Sequence, residues 1–217
     1  RRSSDLILGT GMLWFGWFGF NAGSAFGVNG DAVLAFITTN SSSATAMLTW
    51  IFFDRINGRK VSALGACIGA VVGLVAITPA AGYVSVSEAI FFGFAASIVS
   101  NSIVNWNRMQ KLDDTLDVFA CHGVGGIMGM ILTAIFAHGE GSSLLHGVNG
   151  GTGWGIFGHH MMALIVVSIF TFFGSWLLYK LTDKIIPLRV SEESEHIGLD
   201  ISQHDEQMDP YSETSIE

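Results

Sequence analysis

The sequence predicts an all-α polytopic membrane protein with six transmembrane helices. Of its 217 residues, 50% are hydrophobic and only 13% are charged, and the mean hydropathy is +0.50. There are 27 glycines, and small residues let membrane helices approach one another closely. Six apolar segments reach the roughly 20 residues that a helix needs to cross a bilayer. Together these features are typical of a bundle of membrane-spanning helices.

The six predicted spans follow one another closely, at about residues 6–26, 32–53, 61–83, 89–106, 118–137 and 157–186. Residues 1–186 therefore form the predicted membrane domain, and residues 187–217 form an acidic tail. All 10 Lys and Arg residues lie at the two ends of the chain or in alternate loops, and the intervening loops have none. Because positive charge is enriched in cytoplasmic loops, we expect a multi-pass protein of the cell membrane with both ends of this sequence in the cytoplasm.

The first span carries a polar and aromatic stripe. Trp17, Phe20 and Ser24 are three and four residues apart, which places them on one helix face. Such a stripe is usually a packing or interfacial feature. Aromatic faces beside a hydroxyl also suit a small cation, which gains cation–π attraction and a hydrogen-bond acceptor. The pattern leaves both interpretations open.

The second and third spans favour structural roles. Residues 38–49 of the second span are rich in serine and threonine. Hydroxyls in membrane helices form hydrogen bonds to neighbouring helices or to the carbonyls of their own helix. In the third span Gly65, Gly69 and Gly73 recur every four residues, which makes a smooth face for close helix contact. Pro79 then predicts a break or kink in the helix.

The fifth span contains His122 at membrane depth. An ionisable side chain there is a candidate functional residue by default, although a neutral histidine bonded to a neighbouring helix is the alternative. Asp113 and Asp114 precede this span and are expected to favour the positive end of its dipole. Asp117 lies five residues before His122, about 140° away on a regular helix, so we expect no contact between the two within one helix.

Other side chains indicate no metal, cofactor or enzyme chemistry. Cys67 and Cys121 lie in apolar segments without metal-ligand or disulfide spacing, so both are predicted to be small buried residues. The outer loop and the start of the sixth span contain His138, Glu140, His146, His159 and His160. Their irregular spacing does not suit a metal site. The sequence has no recognisable pairing of a nucleophile with a base and no phosphate-binding loop.

Three stretches, taken in order, carry a family resemblance. They read WFGWFGFNAGS at residues 14–24, GLVAITPA at 73–80 and DVFACHGVGG at 117–126. Together they resemble the ammonium transporter family (Amt/Mep/Rh), and LRVSEE at 188–193, GLD at 198–200 and His204 resemble its Amt branch. The resemblance implies half of an eleven-helix inverted-repeat ammonium channel fold: the second repeat and the last helix. The absence of an initiator Met before Arg1 then suggests a fragment that lacks the first five spans.

The resemblance also implies roles for particular residues. Phe20 resembles one of two phenylalanines that gate the pore, Ser24 the serine of the outer recruitment site, and His122 the second of twin pore histidines. Asp117 resembles an acidic residue near the cytoplasmic end of that pore helix. With Trp17, the pore residues are expected to face a shared interior surface. Asp117 and Thr78 are expected to support them.

The implied function is ammonium/ammonia transport. A cation recruited outside is deprotonated at the phenylalanine gate, and ammonia passes the pore histidines. The resemblance implies a homotrimer and a PII-type regulatory protein at the cytoplasmic face, where residues 189–204 of the tail are expected to dock. No nucleic-acid partner is predicted. Two alternatives remain: an ammonium sensor that signals through the tail, and a membrane scaffold without a pore.

Overall fold

The structure is a computed structural model that describes residues 3–110, 114–139, 143–146 and 153–206, except for the side chains of 107–109. Within those residues it is helical and contains no β-strand, which confirms the predicted fold class. The helices are α1 (Ser3–Ala22), α2 (Gly30–Ile56), α3 (Ala63–Ile77), α4 (Val86–Met109), α5 (Gly125–Phe136), α6 (Gly153–Ile185), α7 (Glu192–Ile197) and α8 (Leu199–His204). A 3₁₀ turn follows α1, and a π-helical turn leads into α5.

Three helical stretches in the described part of the chain are long and apolar enough to cross a membrane. They are Val86–Trp106, Phe119–Phe136 and Gly153–Ile185, while Ala63–Ile77 is apolar but shorter. The third predicted span, 61–83, is thus helical over only 15 residues. The break falls at Pro79, as predicted, because proline offers no backbone N–H to continue the helix.

The chain divides into two compact units, Arg1–Ile165 and Val166–Glu217. In the first unit, α2 and α3 are antiparallel. Ser42 Oγ donates to the Gly73 carbonyl and Ser43 Oγ to the Ala70 carbonyl, each at 2.9 Å. The buried glycine face of α3 lies against α2, so an added Cβ at Gly69 would be 2.7 Å from Trp50 Cβ. The predicted structural roles of the hydroxyls and of the glycine face are confirmed.

Two further pairs of contacts show the directions of α4 and α5. Ser97 Oγ donates to the Ala46 carbonyl at 2.9 Å, and Gly93 lies against the Ser42 carbonyl, so α4 runs parallel to α2. Likewise Gly129 of α5 packs directly on the Ala76 carbonyl of α3, while Gly125 faces Val72 and Val75 of the same helix. Helix direction therefore alternates along the unit, as expected for consecutive membrane spans.

A buried polar network joins α2, the following loop and α4. Arg59 Nε donates to Asp54 Oδ1 at 2.8 Å, and its Nη2 donates to Asn101 Oδ1 at 2.6 Å. Asn101 Nδ2 closes the network by donating to Asp54 Oδ1 at 2.9 Å. Asp54 is only 8% exposed. Arg59, which the sequence analysis counted only as a basic loop residue, is therefore an internal partner of Asp54.

The second unit contains the end of α6 and the two short tail helices. Ser191 caps α7 by accepting a hydrogen bond from the Ser194 N–H at 3.2 Å. Arg189 Nε and Nη2 donate to the two Glu195 oxygens at 2.7 and 2.9 Å, and this bonding lowers the pKa of the Glu195 carboxyl. The tail is thus helical over most of residues 192–204. Residues 207–217, the end of the acidic tail, lie outside the described residues.

Candidate functional site

The end of α1 meets the end of α3 through a tryptophan–threonine pair. Trp17 Nε1 donates to Thr78 Oγ1 at 2.8 Å. The Thr78 hydroxyl in turn donates to the Leu74 carbonyl at 2.7 Å. Because a threonine hydroxyl carries one hydrogen, the Leu74 bond leaves its lone pairs to receive the indole N–H. The geometry fixes the Trp17 ring at this end of the unit.

Phe20 lies beside Trp17, and Ser24 is hydrogen-bonded to Phe20. The ring centroids of Trp17 and Phe20 are 5.8 Å apart with a 57° angle between the planes, and Phe20 is 64% exposed. Ser24 Oγ donates to the Phe20 carbonyl at 2.7 Å. Ser24 belongs to the 3₁₀ turn Gly23–Ala25 and not to α1, so the first predicted span is too long as a helix. We call Trp17, Phe20, Ser24 and Thr78 the outer group.

His122 and Asp117 line a cleft of about 450 Å³ at the opposite end of the α1–α3 contact. The other lining residues come from α1, α3 and the segment before α5: Leu6, Thr10, Leu13, Leu64, Cys67, Ile68, Val71, Asp114, Thr115, Leu116 and Cys121. His122 is exposed, whereas its neighbours Ala120 and Cys121 are buried. Cys67 is only partly buried, so of the two cysteines only Cys121 is buried as predicted. We call Asp117 and His122 the inner group.

The local backbone explains why Asp117 and His122 share this cleft. Asp114 accepts hydrogen bonds from the N–H groups of Val118 and Phe119 at 2.8 and 2.9 Å, so it caps this helix start as expected. Asp117 then adopts a left-handed conformation with φ 54°, and the next turn, Phe119–Val124, is π-helical. The expected 140° separation assumed a regular α-helix and does not apply. Asp113 lies outside the described residues.

The outer and inner groups lie along one pair of parallel helices. Cys67 Sγ approaches the Leu6 carbonyl at 3.8 Å, and Trp17 meets Thr78; both pairs are 61 residues apart in sequence. Because both contacts join residues that are 61 positions apart, α1 and α3 run side by side in the same direction. They do so from Leu6 to Trp17, which is about 16 Å at 1.5 Å per residue. The structure brings Trp17, Phe20, Ser24 and Thr78 together, and it places Asp117 and His122 at the other end of the same helix pair.

Two histidines of the segment after α5 form a separate cluster. His138 Nε2 lies 2.7 Å from Glu88 Oε2, and the rings of His138 and His146 are 4.2 Å apart. The sequence analysis missed the partner Glu88, since it lies 50 residues away. Within the described ranges, no three His, Cys, Asp or Glu side chains are arranged to hold a metal ion. Glu140 lies outside those ranges.

Comparisons with known proteins agree along the chain. The model of the Ammonium Transporter Family matches residues 3–209. A putative ammonium transporter of Methanothermobacter thermautotrophicus is 42% identical over 204 residues, and ammonium transporter Amt1 of Archaeoglobus fulgidus is 40% identical over 206 residues. Both alignments cover 92% of this chain and 50% of the relative.

Solved structures show the same relationship. A sensor Amt protein superposes with a TM-score of 0.81 at 31% identity, over 91% of this chain and 48% of that protein. Candida albicans Mep2 superposes with a TM-score of 0.77 at 34% identity, over 89% and 44%. The chain therefore spans about half the length of the relatives that it matches. With the family model matching nearly the whole sequence, the chain belongs to the ammonium transporter family.

Proposed function

We propose that this chain supplies the second inverted repeat and the last helix of a protein that moves ammonium/ammonia across the cell membrane. The observation that carries the proposal is the placement of the outer and inner groups at the two ends of the α1–α3 pair. One end offers aromatic rings and a hydroxyl, and the other offers a histidine in a largely apolar cleft. Such an arrangement suits a path whose substrate enters charged and continues neutral.

The outer group is proposed to recruit the cation. Trp17 uses its N–H on Thr78, which leaves the face of the indole for cation–π attraction. Ser24 uses its single hydrogen on the Phe20 carbonyl, so its hydroxyl presents lone pairs. Ammonium differs from potassium in that it donates hydrogen bonds and can lose a proton. The exposed ring of Phe20 is proposed to act as the gate at which the proton is lost.

The inner group is proposed to guide neutral ammonia. Apart from the carboxylates of Asp114 and Asp117, most side chains that line the cleft are apolar, and apolar surroundings disfavour an unpaired charge. The neutral imidazole of His122 offers one donor and one acceptor, which match the lone pair and the N–H groups of ammonia. Asp117 then supplies a carboxylate near the exit, where ammonium forms again.

Orientation and assembly follow from charge and from family membership. Three basic residues of the first unit lie at the end of α2 and in the loop before α3: Arg55, Arg59 and Lys60. We propose that this end is cytoplasmic, so the outer group faces outward. We also propose that the full-length protein is a homotrimer, which native mass spectrometry of the purified protein would show directly.

A flux measurement tests the proposed function. The full-length protein that carries this sequence is reconstituted in liposomes, and ammonium-dependent current or acidification is recorded against matched potassium gradients. We expect ammonium-dependent flux that potassium does not reproduce. Protein-free liposomes provide the background, and flux no greater than this background would contradict the proposal.

An ammonium sensor is the second candidate function. The specific observation in its favour is the similarity to the solved sensor Amt protein. A sensor retains the binding path but passes its signal through the cytoplasmic tail. Ammonium binding without net flux in the same liposomes would favour this role over transport.

The tail is proposed to regulate the transporter from the cytoplasmic side. Glu195 is bound by Arg189 within the tail. Of the three acids of α7, Glu192 and Glu193 are therefore proposed to meet the basic loops. Exposed ion pairs contribute only ~0–1 kcal/mol each, so docking also needs the apolar side chains of residues 190–199. Such marginal docking suits a segment that a PII-type partner has to shift.

Removing residues 189–217 is expected to lower flux and to change control by a PII-type protein without preventing membrane insertion. The measurement is flux in liposomes with and without the PII-type protein. A shorter truncation that removes only 207–217 is the control, since it leaves α7 and α8 in place. Wild-type flux and inhibition in both truncations would show that the tail is a solvated appendage.

A further inference from the structure

Asn21 is the one buried residue of α1, which the structure describes from Ser3 to Ala22. The residue is 8% exposed, although it lies next to Phe20, which is 64% exposed. Its Nδ2 donates to Thr39 Oγ1 of α2 at 2.9 Å. A buried amide at this position is costly unless it is hydrogen-bonded. Its orientation therefore depends on the partner hydroxyl.

Thr39 is held in a single orientation. It is completely buried, and its Oγ1 donates to the Ala35 carbonyl of its own helix at 2.6 Å. With its one hydrogen committed, the hydroxyl can only accept from Asn21. The bond from Asn21 is therefore directional and cannot be reversed. A second contact joins the same two helices, because Phe18 of α1 stacks on Phe36 of α2 with ring centroids 4.1 Å apart.

These contacts fix the rotation of the last turn of α1. Trp17 is bonded to α3 through Thr78, and Asn21, four residues later, is bonded to α2 through Thr39. Two bonds to two different helices leave this turn no freedom to rotate about its axis. Because successive helix residues are about 100° apart, holding Asn21 inward turns the ring of Phe20 outward.

We infer that Asn21 and Thr39 are positioning residues for the recruitment and gating end of the path. They act through Phe20 and, through the Phe20 carbonyl, on the Ser24 hydroxyl. Without the bond, the turn that carries Phe20 and Ser24 keeps its hydrogen bond to Thr78, but its hold on α2 is reduced to packing contacts such as the Phe18–Phe36 stack. The inference rests on the proposed transport function and adds to it two residues that touch no substrate. Removing the bond is therefore expected to reduce the discrimination between cations more than it reduces the stability of the fold.

The test compares substrate selectivity in full-length variants reconstituted in liposomes. Thr39→Val removes the hydroxyl at nearly constant volume, and Thr39→Ser retains it. Ser43→Ala is the matched control, because Ser43 Oγ is equally buried on the same helix but bonds to the Ala70 carbonyl of α3. We expect Thr39→Val to change the ratio of ammonium to methylammonium flux by on the order of tenfold, about the effect of losing one buried hydrogen bond. Thr39→Ser and Ser43→Ala are expected to keep the wild-type ratio.

A double variant separates positioning from stability. Thr39→Val alone leaves the Asn21 amide unpaired, whereas Asn21→Leu with Thr39→Val replaces both partners by apolar groups of similar shape, which can be nearly neutral for folding. We expect the double variant to show wild-type thermal stability and the altered flux ratio. A wild-type ratio in the double variant would overturn the inference while leaving the transport function in place. Failure of the transport function itself would appear as missing flux in the wild-type protein.

Discussion

Replacing His122 with alanine is expected to abolish ammonium-dependent current, or to change its selectivity and proton coupling, in the full-length protein. A neutral imidazole offers a donor and an acceptor to ammonia inside a cleft whose lining is mostly apolar, and an alanine offers neither. The fold is expected to survive, because the His122 side chain is exposed while the buried contacts of this turn are made by Ala120 and Cys121. Current recordings from reconstituted protein, at varied external pH and with potassium as the competing cation, measure each property.

His159→Ala is the control for this variant. His159 is an exposed histidine on α6, outside both the inner and the outer group, and its replacement is expected to leave the current unchanged. Wild-type current, selectivity and proton coupling in His122→Ala would instead assign His122 a role in helix packing. The role of His122 in the path stays a prediction until that measurement.

Gly129→Ala is expected to cause the largest loss of stability among single methyl additions to α5. A Cβ at this position would overlap the Ala76 carbonyl oxygen and lie 3.1 Å from Ala76 Cα. Both are backbone atoms, so α3 and α5 have to move apart. Overpacking of this kind costs on the order of 1–3 kcal/mol. Thermal unfolding of the detergent-purified full-length protein measures the loss.

Gly126→Ala is the matched control on the same helix. Its added Cβ would meet only Val75 Cγ1, at 3.9 Å, which is an ordinary van der Waals contact. We expect a melting temperature close to that of the wild type for Gly126→Ala and a clearly lower one for Gly129→Ala. Equal melting temperatures for the two variants would mean that the spacing of α3 and α5 adjusts without cost.

Local chemistry explains what the sequence predicted correctly. Pro79 stops α3 because it lacks an N–H, and Asp114 caps the next helix because its carboxylate is near two free N–H groups. The α3 glycine face and the α2 hydroxyls follow from helical spacing alone. Each prediction depends on residues within a few positions of one another, and such patterns are readable without knowing which helices are neighbours.

The contacts that build the site are long-range and were not predictable in this way. Trp17 and Thr78 are 61 residues apart, so the partner of the indole could not be read from the first span. The sequence analysis also overlooked Asp54, although an acid at the end of an apolar segment indicates that the side chain has a buried partner. The π-helical turn before α5 was missed because periodicity assumes 3.6 residues per turn.

That π-helical turn has a consequence for changes in chain length. Its hydrogen bonds join residues five apart, so Phe119–Val124 holds one residue more than an α-helical turn would. Deleting a residue from a regular helix rotates everything beyond it by about 100°, which would turn Gly129 away from α3. A deletion within the π turn instead converts it to α-helix and leaves the Gly129 contact in register. Thermal stability of such a deletion, compared with that of a deletion within Ala63–Ile77, measures this tolerance. We expect the π-helical turn to accept a change of length that a regular helix of the first unit does not.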